Sequence, residues 1–329
     1  MFEKNNNYND TLLSVRNLEV IYTSAGATVH AVNGVSLDIQ RGHSLGLVGE
    51  TGAGKTTIAK SILRILPDPP AKVLNGEIIL DGKDLMQLSE KEMRKIRGKK
   101  VSMIFQDPMT ALNPLMTVGD QIAEVISLHE HCGTKDAMHK AMEMLEMVGI
   151  PAERYNEFPH QFSGGMKQRV VIAIALACNP ELLLADEPTT ALDVTIQAQV
   201  LDMIAGLQKK LKTAMILITH DLGIVAETCD TVAVIYAGEI VELASKEDLF
   251  LHPTHPYTIG LFGSIPSMAE DVNRLTPIPG MPANPENLPD GCHFHPRCSK
   301  CTEKCTGGSI PFIEVTPNHF VRCACCSEV

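Results

Sequence analysis

Eight consecutive residues in the first part of the chain have the types and the spacing of a phosphate-binding loop. They fit the pattern G-x-x-x-x-G-K-[ST] and are Gly49, Glu50, Thr51, Gly52, Ala53, Gly54, Lys55 and Thr56, followed by Thr57. Glycines let consecutive backbone N–H groups point at nucleotide phosphates, a lysine adds a positive charge, and a threonine hydroxyl suits Mg²⁺. The pattern therefore predicts that residues 49–57 bind ATP and Mg²⁺.

The segments beside this loop have the order that phosphate binding requires. Ser44–Val48 is typical of a short buried strand, and Thr57–Leu63 has the pattern of an amphipathic helix that ends before Pro67. A helix that starts at the loop directs its unpaired N–H groups and the positive end of its dipole at the phosphates. The alternative interpretation is a glycine-rich surface turn.

Two adjacent carboxylates, Asp186 and Glu187, follow the apolar run Leu182–Ala185. Neighbouring residues at the end of a strand point to opposite sides, so each can serve a different partner. We expect Asp186 to support Mg²⁺ together with Thr56, and Glu187 to act as the general base on the attacking water. An Asp-Glu pair on its own is more often a solvated turn.

A second candidate anion site lies at Ser163, Gly164 and Gly165, which precede the helical sequence 166–172. A serine cap, two glycines for close backbone approach and a helix dipole can together hold an anion. The alternative is an ordinary helix N-cap with a flexible lead.

This ordered set of motifs resembles the ATP-binding subunits of ABC transporters. The resemblance implies that Ser163, Gly164 and Gly165 contact the γ-phosphate of a nucleotide held by the opposite subunit. Hydrolysis then requires a dimer clamped over two ATP molecules. The resemblance also implies that Gln106 is the catalytic Q-loop glutamine, which also reaches Mg²⁺, and that Asp193 is the D-loop aspartate. It implies that His220 is the catalytic switch histidine and that the ring of Tyr22 lies against adenine. For Tyr22 the alternative is packing within a strand, and for His220 it is a core or cap histidine.

Further segments narrow the resemblance to the ATPase subunits of dipeptide, oligopeptide and nickel importers. These segments are Phe105–Pro114, Tyr236–Glu242, His255–Thr258, Pro277–Gly280 and Gly291–Cys298. The resemblance implies a subunit that energises import of dipeptides or oligopeptides through a membrane ABC transporter. Its partners would be two membrane permease subunits, a second and paralogous ABC ATPase, and indirectly an extracellular substrate-binding protein. A nickel importer ATPase, a soluble ABC ATPase outside transport and a metal-sensing regulator are the alternatives.

Composition excludes several other classes of protein. The chain has 329 residues and a net charge of −11, with lysine and arginine scattered, which argues against a nucleic-acid-binding surface. The longest uninterrupted apolar run, Val170–Cys178, is half of a membrane span. We therefore expect a peripheral protein at the cytoplasmic face of the membrane.

The ten cysteines are distributed unevenly along the chain. Three lie in the first 291 residues, and the others are Cys292, Cys298, Cys301, Cys305, Cys323, Cys325 and Cys326. Thiolates bind Zn²⁺ and iron–sulfur centres. The family resemblance matches Cys292, Cys298, Cys305 and Cys323 to four ligands of a [4Fe–4S] cluster, with Zn²⁺ as the alternative. The pair Cys298 and Cys301 is a rival ligand set, and unligated reduced thiols remain a third interpretation.

The expected fold class is α/β: a P-loop NTPase core of ABC type with an inserted helical subdomain, plus a Pro/Cys-rich C-terminal extension. The expected domains are a disordered N-terminus over 1–11, a nucleotide-binding domain over 12–250 with its helical subdomain at about 107–180, and the extension over 251–329. Strands are predicted at 13–22, 31–39, 44–48, 76–80, 101–105, 181–185 and 214–219, and helices within 117–149 and 194–212. Beyond Val241 the proline content predicts little regular structure.

Overall fold

A computed structural model describes residues 10–24, 26–190, 192–264 and 277–326. The disorder predicted for residues 1–11 falls mainly on residues 1–9, which lie outside the described residues. The first strand begins at Thr11, inside that predicted segment.

The strands of the described residues, in chain order, are β1 (Thr11–Ser24), β2 (Ala27–Gln40), β3 (Ser44–Val48), β4 (Ala71–Leu80), β5 (Lys83–Asp84), β6 (Val101–Ile104), β7 (Leu182–Asp186), β8 (Ala214–Thr219), β9 (Thr231–Tyr236), β10 (Glu239–Ser245), β11 (Ile313–Thr316) and β12 (His319–Val321). The helices are α1 (Lys55–Leu63), α2 (Glu90–Ile96), α3 (Pro108–Ala111), α4 (Val118–Glu130), α5 (Thr134–Met147), α6 (Gly164–Leu176), α7 (Val194–Leu211), α8 (Leu222–Thr228), α9 (Lys246–Leu251) and α10 (Pro256–Gly263).

These elements divide into two compact units. Among the described residues, the first unit comprises 10–12, 39–44 and 87–217, and the second comprises 13–38, 45–86 and 218–326. The chain passes from the first unit to the second within β8, after Leu217.

In the first unit, β6 runs parallel to β7, and β8 follows β7 in strand order. Every residue of β7 is buried, as expected of a central strand in a parallel sheet. The connection from β7 to β8 is made by α7, which gives the predicted βαβ order. Because parallel strands end at the same edge, Gln106 after β6 and Asp186 at the end of β7 belong to the same edge of the sheet.

The second unit contains a four-stranded sheet in the order β2-β1-β4-β5 and a set of strands in the order β11-β12-β10-β9-β3. The strand before the phosphate-binding loop, β3, is fully buried and pairs in parallel with β9. A two-residue turn joins β9 to β10, with φ of 47° at Ala237 and 80° at Gly238. Positive φ at both positions matches the twist of a hairpin.

The fold class and the main elements predicted from sequence are confirmed. The bounds of β3 and β8 coincide with the predicted ones, and the helical pattern over 117–149 corresponds to α4 and α5. The expectation of little regular structure beyond Val241 is wrong where β10 continues to Ser245 and where α9, α10, β11 and β12 form. Proline is compatible with α10 because Pro256 is its first residue, where no N–H is needed. Residues 265–276 of this stretch lie outside the described residues.

No helix in the described ranges combines the length and the apolar character needed to cross a membrane.

Candidate nucleotide-binding site

The phosphate-binding loop connects β3 to α1, and its glycines are required by close backbone contacts. A Cβ atom on Gly49 would lie 2.1 Å from the carbonyl oxygen of Ile235, and one on Gly54 would lie 2.2 Å from that of Ala31. Gly54 also has a φ of 99°, in the left-handed region that favours glycine. Neighbouring strands thus leave no space for side chains at these two positions.

Lys55 is the first residue of α1 and is 6% exposed. Its ammonium donates hydrogen bonds to the carbonyl oxygens of Gly49, at 2.7 Å, and Glu50, at 3.0 Å. The first turn of α1 carries no acidic side chain, so its positive dipole end is not neutralised. This loop and helix start therefore have the chemistry of an anion site.

Tyr22, predicted to contact adenine, lies in β1 and is half-buried. Its hydroxyl lies 3.3 Å from the hydroxyl of Thr57 in α1. The structure therefore brings Tyr22 to the helix that follows the phosphate-binding loop.

In the first unit, the predicted general base Glu187 and the Q-loop residue Gln106 are in direct contact. The Gln106 side-chain amide donates to Glu187 Oε2 at 2.9 Å, and the Thr190 hydroxyl donates to the same oxygen at 2.8 Å. Glu187 has a φ of 44°, which is uncommon for a residue other than glycine and typical of functional sites. The preceding Asp186 is 3% exposed.

The sequence patterns do not mark Thr190 as a site residue. Its position three residues after Glu187 lets it close a turn, in which its N–H also donates to the Glu187 carbonyl at 3.3 Å. The only sequence signal for it is the presence of a hydroxyl residue shortly after the acidic pair.

Ser163 is the N-cap of α6, and its hydroxyl accepts from the N–H of Met166 at 3.4 Å. A Cβ on Gly165 would lie 2.7 Å from a side-chain carbon of Ile196, so the second glycine is needed for close packing. A cavity of about 310 Å³ opens at this helix start and is lined by Gly149, Ser163, Gly165, Met166, Arg169 and Ile196. With no acidic residue in the first turn of α6, this cavity suits an anion.

The remaining two predicted residues lie where elements begin and end. Asp193 is the exposed N-cap of α7, and its neighbour Ala191 lies outside the described residues. His220 directly follows β8 and is exposed. The N-cap of α8 is the next residue, Asp221, whose carboxylate accepts the cap hydrogen bonds at 2.9 and 3.3 Å.

The clustered cysteines lie in the second unit. Cys305 and Cys323 are buried, and the sulfur atoms of Cys305 and Cys325 are 3.8 Å apart. Burial raises the pKa of Cys292 to about 12, whereas a hydrogen bond from Cys326 helps lower the pKa of Cys323 to about 6. Among the described residues, no group of three His, Cys, Asp or Glu side chains is arranged to hold a metal ion.

The loop residue Glu50 has two further partners that the sequence did not reveal. Its N–H donates to the Tyr257 hydroxyl at 2.9 Å, and its carboxylate accepts two hydrogen bonds from Arg297. These partners are 207 and 247 positions away in sequence, so no local pattern could have predicted them.

Comparison with known proteins agrees with this fold and these motifs. One similar solved structure is the ATP-binding cassette MJ0796, a dimer in a post-hydrolysis state bound to ADP and Pi. It is 26% identical to this chain and superposes with a TM-score of 0.64 over 71% of this chain and 99% of that chain. CbiO1 from Clostridium perfringens, described as part of the ABC transporter complex cbiONQ, is 28% identical with a TM-score of 0.63, covering 74% of this chain and 92% of that chain. The fold and the loop thus define a P-loop NTPase of the ATP-binding cassette class.

Sequence comparison then identifies the family. The ABC transporter family matches residues 32–190, and the family described as "Oligopeptide/dipeptide transporter, C-terminal region" matches residues 241–305. The dipeptide transport ATP-binding protein DppD of Bacillus subtilis is 52% identical over 88% of this chain and 87% of its own length. The oligopeptide transport ATP-binding protein OppD of Escherichia coli is 43% identical over 95% of this chain and 93% of its own length. The chain belongs to the ABC transporter ATP-binding proteins, an ATP-hydrolysing family.

Proposed function

We propose that this chain is the ATP-hydrolysing subunit of an importer for dipeptides or oligopeptides. The observation that carries the proposal is the match of residues 241–305 to the oligopeptide/dipeptide C-terminal region on a chain that also has a complete phosphate-binding loop. The similar B. subtilis and E. coli proteins are named for dipeptide and oligopeptide transport. No observation on this chain favours nickel over peptides.

The residue roles that we propose follow from chemistry and position. Residues 49–57 bind the phosphates, and Tyr22 packs against adenine. Glu187 accepts a proton from the attacking water as general base, and Gln106, which donates to its carboxylate at 2.9 Å, orients that carboxylate. His220 stabilises charge that develops on the γ-phosphate. Asp193 is the D-loop aspartate of the ABC motifs.

Thr56, Gln106 and Asp186 have the oxygen donors that Mg²⁺ prefers, a hydroxyl, an amide carbonyl and a carboxylate. Asp186 is a buried carboxylate at the end of a strand, which fits this use. When bound, Mg²⁺ neutralises charge on the β- and γ-phosphates.

We propose that the active form is a dimer of this chain with a paralogous ATPase. The dimer binds two membrane permeases at the cytoplasmic face of the membrane, and the extracellular substrate-binding protein is an indirect partner. In such a dimer, Ser163, Gly164 and Gly165 contact the nucleotide of the opposite subunit. The cavity at the start of α6 and the dimeric state of MJ0796 support this arrangement. We also propose the domain bounds given by the sequence, 12–250 and 251–329.

A [4Fe–4S] or Zn²⁺ centre at Cys292, Cys298, Cys305 and Cys323 rests on the family resemblance. The described cysteines do not form a three-ligand group, so we derive no step through such a centre. Iron and zinc content of anaerobically purified protein tests it, and the lack of both metals would refute it.

The function is tested by uptake of labelled dipeptide and of Ni²⁺ in the native host. Lys55→Ala removes the ammonium of the phosphate-binding loop, so we expect loss of peptide uptake and of ATP binding. Lys60→Ala, a matched change five residues further along α1, should leave both unchanged. Loss of nickel uptake alone would assign the chain to metal import, and tight ATP binding by Lys55→Ala would contradict the proposed loop.

A further inference from the structure

The C-terminal part of the second unit holds one residue of the phosphate-binding loop at two points. The guanidinium of Arg297 binds the Glu50 carboxylate in a bidentate pair, with Nη1 to Oε2 at 2.9 Å and Nη2 to Oε1 at 3.2 Å. The Tyr257 hydroxyl accepts from the Glu50 N–H at 2.9 Å. Backbone and side chain of Glu50 are therefore both fixed from outside the loop.

Arg297 is held in place independently of Glu50. Its Nε donates to the Pro279 carbonyl at 3.0 Å and its Nη2 to the Ile278 carbonyl at 3.4 Å. The Arg297 side chain is 5% exposed and the Glu50 side chain 28% exposed. A bidentate pair with a fixed, largely buried guanidinium belongs to the stronger class of ion pairs, unlike an exposed lysine contact.

Tyr257 is also held by contacts other than the one to Glu50. It is fully buried in α10, and its ring packs on Tyr236 and Phe294 at centroid distances of 4.7 and 5.4 Å. The start of α10 is capped by His255, whose Nδ1 accepts from the Tyr257 N–H at 3.1 Å. Burial lowers the pKa of His255 to about 4, so this ring stays neutral and can accept.

The cap of α10 is itself anchored on a buried carboxylate. Glu242 in β10 is fully buried and accepts from the N–H groups of Thr254, at 2.7 Å, and His255, at 2.9 Å. His319 in β12 contacts the same carboxylate at 2.8 Å and Asp248 at 2.8 Å. A continuous set of hydrogen bonds therefore connects β10 and β12, through the start of α10, to Glu50.

We propose that Arg297 and Tyr257 are positioning residues for ATP binding, which fix Glu50 so that the loop keeps its phosphate-binding conformation. The inference rests on the proposed role of this loop in binding ATP. Neither side chain needs to contact ATP, since both act on Glu50. A loop that must order itself on binding loses affinity, so weakening this support should raise the KM for ATP while leaving kcat nearly unchanged.

The test uses full-length protein for ATP affinity and the assembled transporter for ATPase kinetics. Tyr257→Phe removes one hydroxyl, and we expect it to raise the KM for ATP about 3- to 10-fold with kcat within about twofold, since one hydrogen bond is lost. Arg297→Gln should raise the KM about tenfold or more, and Arg297→Lys should have an intermediate effect because lysine keeps the charge but not the bidentate geometry.

Two control variants separate this role from general stability. Arg322→Gln removes another arginine of the extension, whose carbonyl partners are Ile240 and Ile310. Tyr155→Phe removes a hydroxyl of another buried tyrosine, which is bonded to Asp120 at 2.9 Å. Both controls should keep the wild-type KM, even where they lower the melting temperature.

A double-mutant cycle with Glu50→Gln gives the decisive comparison. If Arg297 acts through Glu50, Arg297→Gln should add less than about twofold to the KM of Glu50→Gln. Wild-type KM values in folded Arg297→Gln and Tyr257→Phe would overturn the inference, as would KM increases of equal size in the controls. Failure of the proposed role of the loop is distinct, because wild-type protein would then bind no ATP. Failure of the proposed peptide import is distinct as well, because it would appear in the uptake assay while ATP binding stayed intact.

Discussion

The substitution Glu187→Gln tests the proposed general base with little change in shape. Glu187 Oε2 accepts from Gln106 at 2.9 Å and from Thr190 at 2.8 Å. A glutamine carbonyl oxygen can accept both hydrogen bonds, so the turn after β7 can keep its conformation. The change removes the negative charge and with it the ability to take a proton.

The expected effect on rate is larger than the expected effect on stability. Hydrogen bonds to a charged group contribute about 1.5–3 kcal/mol and neutral ones about 0.5–1.5, a difference of about 1–1.5 kcal/mol between like ends of the two ranges. Two weakened bonds therefore cost about 2–3 kcal/mol, and less at this half-exposed position. A general base contributes about 10²- to 10⁴-fold to rate, which is about 3–5 kcal/mol of activation free energy. A folded variant should therefore retain ATP binding and lose at least about a hundredfold in kcat.

The assay is steady-state phosphate release by the assembled transporter, with ATP binding measured on the same preparation. Glu181→Gln is the matched control, because Glu181 directly precedes β7 at its other end and pairs with Arg41 at 3.2 Å and Lys100 at 2.9 Å. This control should keep wild-type turnover. Normal turnover by Glu187→Gln would refute the assignment of the general base, and loss of ATP binding would show that the variant had disturbed the site instead.

Two further predictions concern the second unit. Gly54→Ala should abolish ATP binding in titrations, because the new Cβ would lie 2.2 Å from the Ala31 carbonyl oxygen at a residue with a φ of 99°. The control is Gly52→Ala, whose Cβ would meet nothing within 4 Å. It should bind ATP more tightly than Gly54→Ala does. Burial alone lowers the pKa of His319, but its hydrogen bonds to Glu242 and Asp248 outweigh burial and raise that pKa above 6.5. The stability that this contact contributes is therefore complete below pH 6.5 and declines as pH rises through the raised pKa. His319→Gln should make the melting temperature less dependent on pH over that range. An unchanged pH dependence would count against this contact.

The sequence was informative where a local pattern determines the structure. Short, uninterrupted apolar runs predicted β3 and β8 to the residue, because a central parallel strand is buried on both faces. The phosphate-binding loop could be predicted because its glycines, lysine and threonine form one contiguous pattern. The acidic pair after an apolar run indicated Glu187, and the family resemblance added Gln106, although the hydrogen bond between them required the structure.

The sequence was not informative where the determining contacts are distant. Proline content suggested an irregular connector after Val241, but Pro256 starts a helix whose cap, His255, depends on Glu242 of another strand. The Arg297 pair with Glu50 depends on a fold that brings together residues 247 positions apart. No periodic sequence pattern marks either contact, because each forms only when the second unit has folded.

The end of β7 explains how two adjacent carboxylates can have different roles. Asp186 is the last residue of the strand and is 3% exposed, whereas Glu187 has left it with a φ of 44°. Positive φ costs on the order of 1–3 kcal/mol for a residue other than glycine, so the surrounding contacts must enforce it. The Thr190 hydroxyl and the Gln106 amide provide such contacts with the Glu187 carboxylate. The strained turn therefore separates a buried carboxylate suited to a cation from a more accessible one suited to a water molecule.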